Sequence, residues 1–308
     1  MGSNESDVGL YLCGVVATSL TMQISQITRD TLDVTLLGKK PGHKYDHGHA
    51  LVLSGGPGKT GAARMAARGA LRIGAGAVTL GVPPAAQLEV AMQVTAIMLE
   101  RIPDGAALAD VLKDNRINAL CLGPALGLGA RAAGLVKAAL AAPSVVLDAD
   151  ALTLMSQDAE IRAGLHPRCI LTPHMGEFAR LAPDLAEAAK AEGPSAKAWA
   201  AREAAARFGC VVLLKGPETV IATPEGNVRR HCATHDRASP WLATAGAGDV
   251  LAGFTTGLVA RGIDPLEAAS LAAWLHAEAA LTHGPGLIAE DLPDLLPQVL
   301  RALNVQAA

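Results

Sequence analysis

A glycine-rich stretch ending in an aspartate is the part of the sequence best suited to phosphoryl chemistry. It reads Ala-Thr-Ala-Gly-Ala-Gly-Asp-Val-Leu-Ala-Gly over residues 243–253. Small residues through Gly248 leave backbone N–H groups unobstructed, and a helix beginning near Asp249 would add the positive end of its dipole. Such a site can hold a transferring phosphoryl group while Asp249 accepts a proton from a hydroxyl group. Aspartate is also a common helix N-cap, so the motif alone leaves a purely structural role open.

Two other polar clusters stand directly after apolar runs, where parallel strands end and ligands bind. Lys215 and Gly216 end the run 211–214, where the lysine can meet a phosphate and the glycine lets a ligand approach the backbone. A lysine that only solvates a hairpin turn is the alternative. His174 and Glu177 follow a Thr-Pro pair, and the imidazole can bond an amide or a phosphate. A surface histidine is the alternative there, and without a third ligand the pair does not predict a metal site.

Two more turns after apolar runs complete the set. Asp148 and Asp150 follow the run 145–147. Carboxylates at a strand end often serve a site because they are costly to bury, but aspartate also favours turns. Gly123, followed by a proline, ends the run 119–122. Because the carboxyl ends of parallel strands lie at one edge of a sheet, we expect these clusters to converge.

A second glycine-rich loop, Ser-Gly-Gly-Pro-Gly-Lys-Thr-Gly over residues 54–61, nearly fits two phosphate-binding fingerprints. A P-loop would need a glycine where Leu53 stands. The G-x-G-x-x-G spacing of a dinucleotide fold is present, but that fold also needs an acidic residue about 20 positions on. The first carboxylate after the loop is Glu89, which is too far along the chain. These residues alone leave the role of the loop open.

The rest of the sequence supplies the strands and helices that must position these residues. Most apolar runs are continuous rather than alternating, which is typical of strands covered on both faces. Ala-rich helical windows lie between them, and this alternation predicts an α/β fold, with a mainly parallel sheet and helices on both sides. The predicted strands are 50–53, 77–82, 119–122, 145–147, 169–171, 211–214 and 220–222, and the predicted helices include 61–72, 130–141, 186–208 and 249–261.

Composition narrows the functional classes. The 308 residues carry a formal net charge of −3 with a pI near 6.3, so no basic surface is available to attract nucleic acid. The apolar stretch 9–17 is too short to cross a bilayer and lacks the charged flank of a signal peptide. We therefore expect a cytoplasmic enzyme without a membrane or nucleic-acid partner. The cysteines are odd in number and lack C-x-x-C spacing, which favours buried thiols over disulfides: Cys13, Cys121, Cys169, Cys210 and Cys232.

The chain is predicted to form one domain. Half of its residues are hydrophobic, which is enough for a large core. Residues 1–43 differ in composition from the remainder of the chain and end in a Gly-Lys-Lys-Pro-Gly turn. We therefore predict a lead-in segment over residues 1–43 and a domain over residues 44–308.

Taken in order, these motifs resemble the NAD(P)H-hydrate dehydratase family, a branch of the ribokinase-like superfamily. The resemblance covers roughly residues 40–300. It implies a ribokinase-like three-layer α/β/α sandwich with a mainly parallel central sheet. The stretches that carry it are 43–49, the glycine loop 54–61 with 61–64 after it, 123–124, 147–152, 172–178, 215–216 and 243–253.

The reaction that the resemblance implies is an ADP- or ATP-dependent dehydration of the S epimer of hydrated NADH or NADPH, catalysed by a hydro-lyase. The C6 hydroxyl of the damaged nicotinamide is phosphorylated, and phosphate then leaves. On this interpretation the loop 54–61 lines the pocket for the hydrate and is neither a P-loop nor a dehydrogenase turn. Mg²⁺ is also implied, with no ligands assigned.

Site residues are implied by the same resemblance. Catalysis is implied for Asp249 as the base, with the N–H groups of Gly246, Ala247 and Gly248 stabilising the phosphoryl group. Contacts with the hydrate are implied for Ala62, Gly123, His174 and Asp249. The ADP or ATP site is implied for Lys215, Gly216, Pro217, Glu218, Thr219 and Gly248.

The sequence departs from the family pattern in four places. Met175 stands where proline is common and Ala125 where glycine is common. Ala245 and Ala247 replace a glycine and a hydroxyl residue before Gly-Asp. Ala125 puts the close backbone approach of its turn in question, while Asp249 and the small residues before it are retained.

The resemblance also bears on partners. Many relatives carry an epimerase domain ahead of this one, and 43 residues are too few for it, so we expect an epimerase either as a separate chain or as a domain removed from this one. A homo-oligomer, specifically a tetramer, is expected as well. The alternatives are a vitamin-precursor kinase of the same superfamily, such as a hydroxyethylthiazole kinase, a nicotinamide dehydrogenase, and a catalytically silent nucleotide-binding protein.

Overall fold

A computed structural model describes residues 22–191 and 194–305 of the chain. Its strands form a single ten-stranded sheet in the order β1-β10-β9-β8-β7-β6-β5-β2-β3-β4. Neighbouring strands run parallel except at β9, which is antiparallel to both β8 and β10. The strands are β1 Ile24–Gln26, β2 His49–Leu53, β3 Ala77–Val82, β4 Met98–Arg101, β5 Ile117–Leu122, β6 Val145–Leu147, β7 Cys169–Leu171, β8 Val211–Leu214, β9 Glu218–Ala222 and β10 Val228–Cys232.

Helices cover both faces of this sheet. One buried apolar layer lies between the sheet and α1, α10, α11 and α12, and the other lies between the sheet and the remaining longer helices. The predicted α/β class and three-layer α/β/α arrangement are therefore confirmed. The helices are α1 Gly61–Arg72, α2 Gln87–Ala91, α3 Gly105–Val111, α4 Ala130–Ala139, α5 Ala149–Gln157, α6 Ala159–Ala163, α7 Met175–Leu181, α8 Pro183–Ala188, α9 Pro194–Phe208, α10 Ala247–Ala260, α11 Pro265–His283 and α12 Asp291–Ala302.

The predicted strands are the central ones. Each apolar run identified in the sequence is a strand, and β2, β5 and β9 begin one or two residues earlier than predicted. The sequence did not predict β1, β4 and β10, whose partly exposed residues include polar side chains such as Glu100, Arg229 and Arg230. Strands near a sheet edge need less apolar sequence because one face or one edge stays in contact with water.

The predicted helix 186–208 is not continuous. Its first residues belong to α8, which ends at Ala188, and α9 begins at Pro194. Proline is favoured in the first turn of a helix, where its missing N–H has no partner to lose. The alanine-rich composition on both sides of this point hid the break.

Residues 22–43, the described part of the lead-in segment, pack against the rest of the fold. β1 pairs with β10 in parallel, and Ile27, Leu32 and Leu37 are buried in the main core layer. The guanidinium of Arg261 donates hydrogen bonds to backbone carbonyls at the end of this segment. The division at residue 44 stays a prediction about domain organisation.

The described cysteines are free thiols, as predicted from their spacing. Cys121, Cys169 and Cys210 are buried, and burial raises the pKa of Cys121 to about 12 and that of Cys169 to about 11. These thiols are small core residues. Cys13 and the apolar stretch 9–17 lie outside the described residues. Among the helices in 22–191 and 194–305, none is both long enough and apolar enough to cross a membrane.

Candidate active site

Charged side chains meet at the carboxyl ends of β6, β7 and β8. Asp148 follows β6 and Lys215 follows β8, and the Lys215 Nζ lies 2.7 Å from the Asp148 Oδ1. The same ammonium is 3.9 Å from the Glu177 Oε2, in the first turn of α7. Only 3% of the Asp148 side chain and 18% of the Lys215 side chain are exposed. The predicted convergence of these strand ends is therefore present, with a buried ion pair at its centre.

Asp249 stands beside this cluster in the first turn of α10. Burial, reinforced by the charge of Asp148, raises its pKa to about 6, although Lys215 acts in the opposite direction. A carboxylate with this pKa is mostly ionised at neutral pH and still basic enough to take a proton from a hydroxyl group as that group reacts. Asp249 therefore has the electrostatic environment of a general base.

The backbone before Asp249 forms a turn that opens an anion site. Gly246 has φ of 90°, and a Cβ there would lie 2.6 Å from the Met65 Sδ, so only glycine suits the position. Among the described residues, the N–H groups of Gly248 and Asp249 have no hydrogen-bond acceptor. A Cβ on Gly248 would lie 3.5 Å from the Lys215 Nζ. Two free N–H groups and an ammonium thus face the same space at the positive end of α10.

His276, on α11, holds this turn from behind. Its Nε2 lies 2.8 Å from the carbonyl oxygen of Ala247, so the ring donates that hydrogen bond. Burial lowers the pKa of His276 to about 4, which keeps the ring neutral. The first turn of α10 is therefore fixed to α11 by a hydrogen bond from a neutral imidazole ring. The sequence analysis did not identify His276, because a single histidine in an apolar helix carries no pattern.

A cavity of about 800 Å³ opens next to the anion site. Its walls are the loop after β8, residues between positions 231 and 243, the first turn of α10 and the middle of α11. The wall is mainly apolar, and its lining also includes Lys215 and the backbone of Gly248. The size and the lining suit a ligand as large as a nucleotide, with its phosphates beside these two residues.

The residues predicted for the nucleotide mostly lie on this cavity. Lys215, Gly216, Pro217, Thr219 and Gly248 line it, as does Ala247 of the glycine-rich turn. Glu218 does not line it within the described part of the chain, because its carboxylate turns to Arg230 at 2.7 Å. What Glu218 contributes near the loop is its backbone carbonyl, which accepts a hydrogen bond from Lys197.

His174 lines the same cavity and also caps α7. Its Nδ1 accepts hydrogen bonds from the N–H groups of Gly176 at 2.9 Å and Glu177 at 3.3 Å. The Glu177 carboxylate in turn accepts from the His174 N–H at 2.8 Å. With Nδ1 used as an acceptor, a neutral ring carries its proton on Nε2, where it can be donated to a ligand. In residues 22–191 and 194–305, no group of three or more His, Cys, Asp or Glu side chains could hold a metal ion.

Gly123 and Ala62 lie further along the same edge of the sheet and do not line the cavity in the described structure. Gly123 follows β5 with φ of 124°, and a Cβ there would lie 1.7 Å from the Asp148 carbonyl oxygen. Ala62 lies in the first turn of α1, after the loop that follows β2. Since β5 pairs with both β2 and β6, these two residues flank the charged cluster on the side away from the cavity.

Comparison with known proteins decides the family. The family model described as NAD(P)H-hydrate dehydratase matches residues 50–298. The chain belongs to the NAD(P)H-hydrate dehydratase family. The fold is the ribokinase-like one that the motifs predicted.

Individual members of the family are similar over most of the chain. It is 40% identical over 278 residues to a bifunctional NAD(P)H-hydrate repair enzyme of Moorella thermoacetica, covering 85% of this chain and 51% of that protein. It is 37% identical to an ADP-dependent (S)-NAD(P)H-hydrate dehydratase of Neisseria meningitidis, covering 77% of this chain and 78% of that one. The chain spans about half the length of the first bifunctional relatives it matches.

A solved structure from the family superposes closely. The ADP/ATP-dependent NAD(P)H-hydrate dehydratase of Bacillus subtilis, co-crystallised with ATP and Mg²⁺, gives a TM-score of 0.76 at 29% identity. The match covers 92% of this chain and 99% of that one. This relative shares the arrangement of strands and helices around the site described above.

In this chain, the glycine loop 54–61 is closed by a carboxylate that lies outside the loop. Glu89 accepts hydrogen bonds from the Gly58 N–H at 2.8 Å and from the Thr60 Oγ1 at 2.5 Å. Both hydrogen bonds lower the pKa of Glu89, and the bond from Thr60 has the larger effect. A carboxylate thus takes the N–H group that a phosphate would need, which argues against a P-loop or dehydrogenase role. The first carboxylate after the loop is therefore a partner of the loop and not of a ribose.

The departure from the family pattern at Ala125 adds backbone strain to its turn. It does not prevent the close approach of this turn to the loop after β2. Ala125 has φ of 53°, in the left-handed region where alanine is disfavoured. A Cβ on Gly55 would lie 2.1 Å from the Ala125 carbonyl oxygen, so glycine at 55 is what permits the contact. The loops after β2 and β5 therefore touch, as a pocket formed between them requires.

Proposed function

We propose that this chain catalyses the ADP- or ATP-dependent dehydration of the S-hydrates of NADH and NADPH, and so repairs damaged nicotinamide coenzymes. The observation that carries the proposal is the position of Asp249. A carboxylate with a pKa raised to about 6 stands in the first turn of α10, beside the free N–H groups of that turn and next to Gly248, which lines a nucleotide-sized cavity. Membership of the family supports this substrate, as does the similarity to the Neisseria meningitidis protein, which is named an ADP-dependent (S)-NAD(P)H-hydrate dehydratase.

The reaction uses the residues of this chain for positioning, charge stabilisation and proton transfer. Asp249 accepts the proton of the C6 hydroxyl as that oxygen bonds to the terminal phosphorus of the nucleotide, and the P–O bond that joins this phosphorus to the next phosphate breaks, so that the nucleotide leaves with one phosphate fewer. The N–H groups of Gly248 and Asp249 and the Lys215 ammonium stabilise the negative charge on the transferring group. The C6–O bond then breaks as the lone pair of the ring nitrogen forms a C=N bond and phosphate departs. Loss of the C5 proton restores the reduced nicotinamide.

The charges of the site fit a divalent cation accompanying the nucleotide. The carboxylates of Asp148, Glu177 and Asp249 surround the single ammonium of Lys215, so an incoming polyphosphate needs additional positive charge. Mg²⁺ is commonly held by one or two carboxylates together with phosphate oxygens, and here the carboxylates of Asp148 and Glu177, both beside Lys215, would hold it. When bound, Mg²⁺ neutralises charge on the transferring phosphoryl group.

The hydrate is assigned to the other side of Asp249. Gly123 and Ala62 flank that side, and the loop closed by Glu89 is proposed as its outer wall. His174 lines the nucleotide cavity, with its Nε2 3.5 Å from the Glu177 Oε1, and its contact with the hydrate stays a prediction. The nicotinamide ring then lies against Asp249, while the adenine nucleotide fills the cavity. The C6 hydroxyl and the terminal phosphate then meet beside Asp249, where the hydroxyl oxygen approaches the phosphorus opposite the bond that breaks, as in-line phosphoryl transfer requires.

A vitamin-precursor kinase remains the second candidate, because it would use Asp249 and the same anion site. The family model and the relatives favour the dehydratase. Pairing with an epimerase is part of the proposal, since relatives such as that of Moorella thermoacetica are named as bifunctional repair enzymes. A tetrameric assembly and a cytoplasmic location also belong to the proposal.

The test is the recovery of near-ultraviolet absorbance by reduced nicotinamide when the protein is mixed with hydrated NADH or NADPH, Mg²⁺, and ADP or ATP. A rise that requires both protein and nucleotide is expected, and the faster nucleotide is the preferred donor. Asp249→Asn under the same conditions controls for spontaneous loss of water. A flat trace with both nucleotides from folded protein would overturn the dehydratase and favour the kinase. Phosphorylation of hydroxyethylthiazole would then be measured with ATP.

A further inference from the structure

Lys197 is a partly buried lysine that the proposed reaction does not use. It projects from α9 toward the loop that follows β8, and its Nζ donates hydrogen bonds to two backbone carbonyls of that loop. The acceptor at Lys215 lies 3.2 Å away, and the acceptor at Glu218 is also in contact. Lys197 does not line the cavity within the described residues, so it acts on the loop from behind.

The loop leaves this ammonium the room it needs. A Cβ on Gly216 would lie 2.9 Å from the Lys197 Nζ, so a side chain at position 216 would displace the ammonium. Gly216 also has φ of 155°, a conformation that suits glycine. The Lys-Gly pair at the end of β8 is therefore explained by Lys197 as well as by any ligand on the other side.

The hydrogen bonds of the loop carbonyls determine where its N–H groups point. The carbonyls of Lys215 and Glu218 are taken by Lys197, that of Gly216 by the Thr219 hydroxyl at 2.9 Å, and that of Pro217 by the Ala233 N–H at 2.8 Å. In a trans peptide the C=O and the following N–H point in opposite directions. Because the Lys215 carbonyl faces Lys197, the Gly216 N–H faces the cavity that Gly216 lines. This N–H has no acceptor among the described residues.

The charge of Lys197 also suits an anion on the far side of the loop. Burial lowers its pKa to about 8, with the nearby Glu218 opposing this change. The carboxylate of Glu218 pairs with Arg230, and Lys197 forms no ion pair in residues 22–191 and 194–305. A buried charge without a counter-ion is costly, and the phosphates of a nucleotide would offset that cost.

We propose that Lys197 is a positioning residue for the nucleotide: it gathers the carbonyls of Lys215 and Glu218 behind the loop and thereby presents the Gly216 N–H and the Lys215 side chain to the phosphates. This inference rests on the proposed function, because it assumes that the cavity takes ADP or ATP. It predicts that loss of the Lys197 ammonium weakens the nucleotide much more than the nicotinamide ligand.

The experiment compares wild type, Lys197→Met, Lys197→Arg and the control Arg202→Met, which alters a basic residue of the same helix. Binding of ADP with Mg²⁺ and, separately, of NADPH is measured by isothermal titration calorimetry. We expect Lys197→Met to weaken ADP about tenfold or more, as for two hydrogen bonds to a charged donor, and to change NADPH less than about twofold. Lys197→Arg should recover part of the ADP affinity, and Arg202→Met should match the wild type.

The outcomes separate this inference from the proposed function. Equal ADP affinity in wild type and Lys197→Met would overturn the role of Lys197 and leave the proposed function intact. So would an equal weakening of ADP and NADPH, which would indicate a general structural role. Wild-type protein that binds neither ADP nor ATP, the latter titrated in the same way, would overturn both. If Lys197→Met does not fold, Lys197→Gln, whose shorter side chain reaches at most one carbonyl, is measured against the same criteria.

Discussion

At the scale of single residues, the site depends on how buried charges balance. Asp148 and Lys215 form an ion pair at 2.7 Å, whereas Asp249 lies nearby and forms no ion pair within the described part of the chain. Its pKa is raised chiefly by burial and then by the charge of Asp148. The same environment that destabilises the ionised carboxylate makes it a better base. Function and stability should therefore respond in opposite directions when Asp249 is changed.

Asp249→Asn should abolish turnover and stabilise the fold. The folded-state pKa of about 6 exceeds the ordinary value of 3.8, so the unfolded chain releases this proton first as pH rises. The wild type therefore loses stability relative to the variant between these two values and does not regain it above them. We expect the variant to be more stable by on the order of 1–2 kcal/mol at about pH 8 and by little at about pH 4. Urea unfolding at both pH values measures the difference.

The same variant tests the general base. Turnover should fall by roughly 10²–10⁴-fold, and in the wild type kcat/KM should decline as pH falls through the pKa of about 6. Unchanged turnover in the variant would remove Asp249 from the mechanism. A wild-type acid limb centred well below this pKa would show that another group limits the rate.

Lys215→Met should destabilise the protein because it leaves a buried carboxylate without a partner. The Asp148 side chain is almost completely buried, and breaking a buried pair on one side costs about 3–5 kcal/mol. Adding Asp148→Asn to this variant should restore part of the loss, since the unpaired charge is gone. Urea denaturation of the single and double variants measures both effects. Lys113→Met, which breaks an exposed pair with Asp110, is the control and should leave the midpoint unchanged.

At the scale of elements, the site depends on close packing of α10 against α1. A Cβ on Gly253 would lie 2.2 Å from the Ala66 carbonyl oxygen, and one on Gly257 would lie 2.3 Å from the Ile73 side chain. Glycine on α10 thus allows two helix backbones to approach without intervening side chains. Because α10 also carries Asp249, its distance from the sheet determines where the base stands relative to Asp148 and Lys215.

Gly253→Ala should destabilise the fold even though alanine is the better helix former. The clash with the backbone of α1 should cost about 2 kcal/mol or more and exceed the gain in helix propensity. Gly134→Ala is the matched control, since a Cβ on that helical glycine of α4 meets no atom within 4 Å. This control should gain about 0.5–1 kcal/mol. Thermal unfolding of the two variants decides the point, and equal shifts would show that α10 can move away from α1 at no cost.

At the scale of the whole molecule, one arginine joins the first described segment to the domain. Arg261, just after α10, donates hydrogen bonds to the carbonyls of Leu36, Leu37 and Gly38, and also to that of Ile73. The segment leads from β1, which pairs at the edge of the sheet, past buried Leu32 and Leu37. Several carbonyls accept their hydrogen bonds from this one guanidinium, so its removal should destabilise the whole segment.

Arg261→Met should therefore lower the free energy of unfolding by about 2–4 kcal/mol, because buried carbonyls lose their donors. Amide hydrogen exchange should rise first over residues 34–38. Arg68→Met is the control, as Arg68 forms a half-exposed ion pair with Asp294 and Arg72 can keep that partner. If both variants have the same stability as the wild type, the segment is held by its apolar contacts alone.

The central part of the fold could be predicted from the sequence because the signal there is local. Strands β6, β7 and β8 are continuous apolar runs, as is β5 from residue 119 onward, and each ends at a turn whose residues carry charge or conformational freedom. Burial on both faces of a parallel sheet requires such runs, so the pattern and the structure have the same cause. The sheet and the polar residues at its strand ends, such as Asp148 and Lys215, were predicted in this way. The family was predicted from the resemblance of the ordered motifs, and the roles of individual site residues stay predictions.

The sequence by itself thus determined the class of fold, the family and the edge of the sheet at which charged residues gather. Only the tertiary structure decided which side chains form hydrogen bonds with these loops and turns. Glu89 closes the glycine loop from 31 residues away, Lys197 reaches the loop after β8 from α9, and His276 fixes Ala247 from 29 residues away. Each is a lone polar residue in its own segment. Its hydrogen-bond partner is determined by how the helices pack on the sheet, and this packing produces no periodic pattern in the sequence.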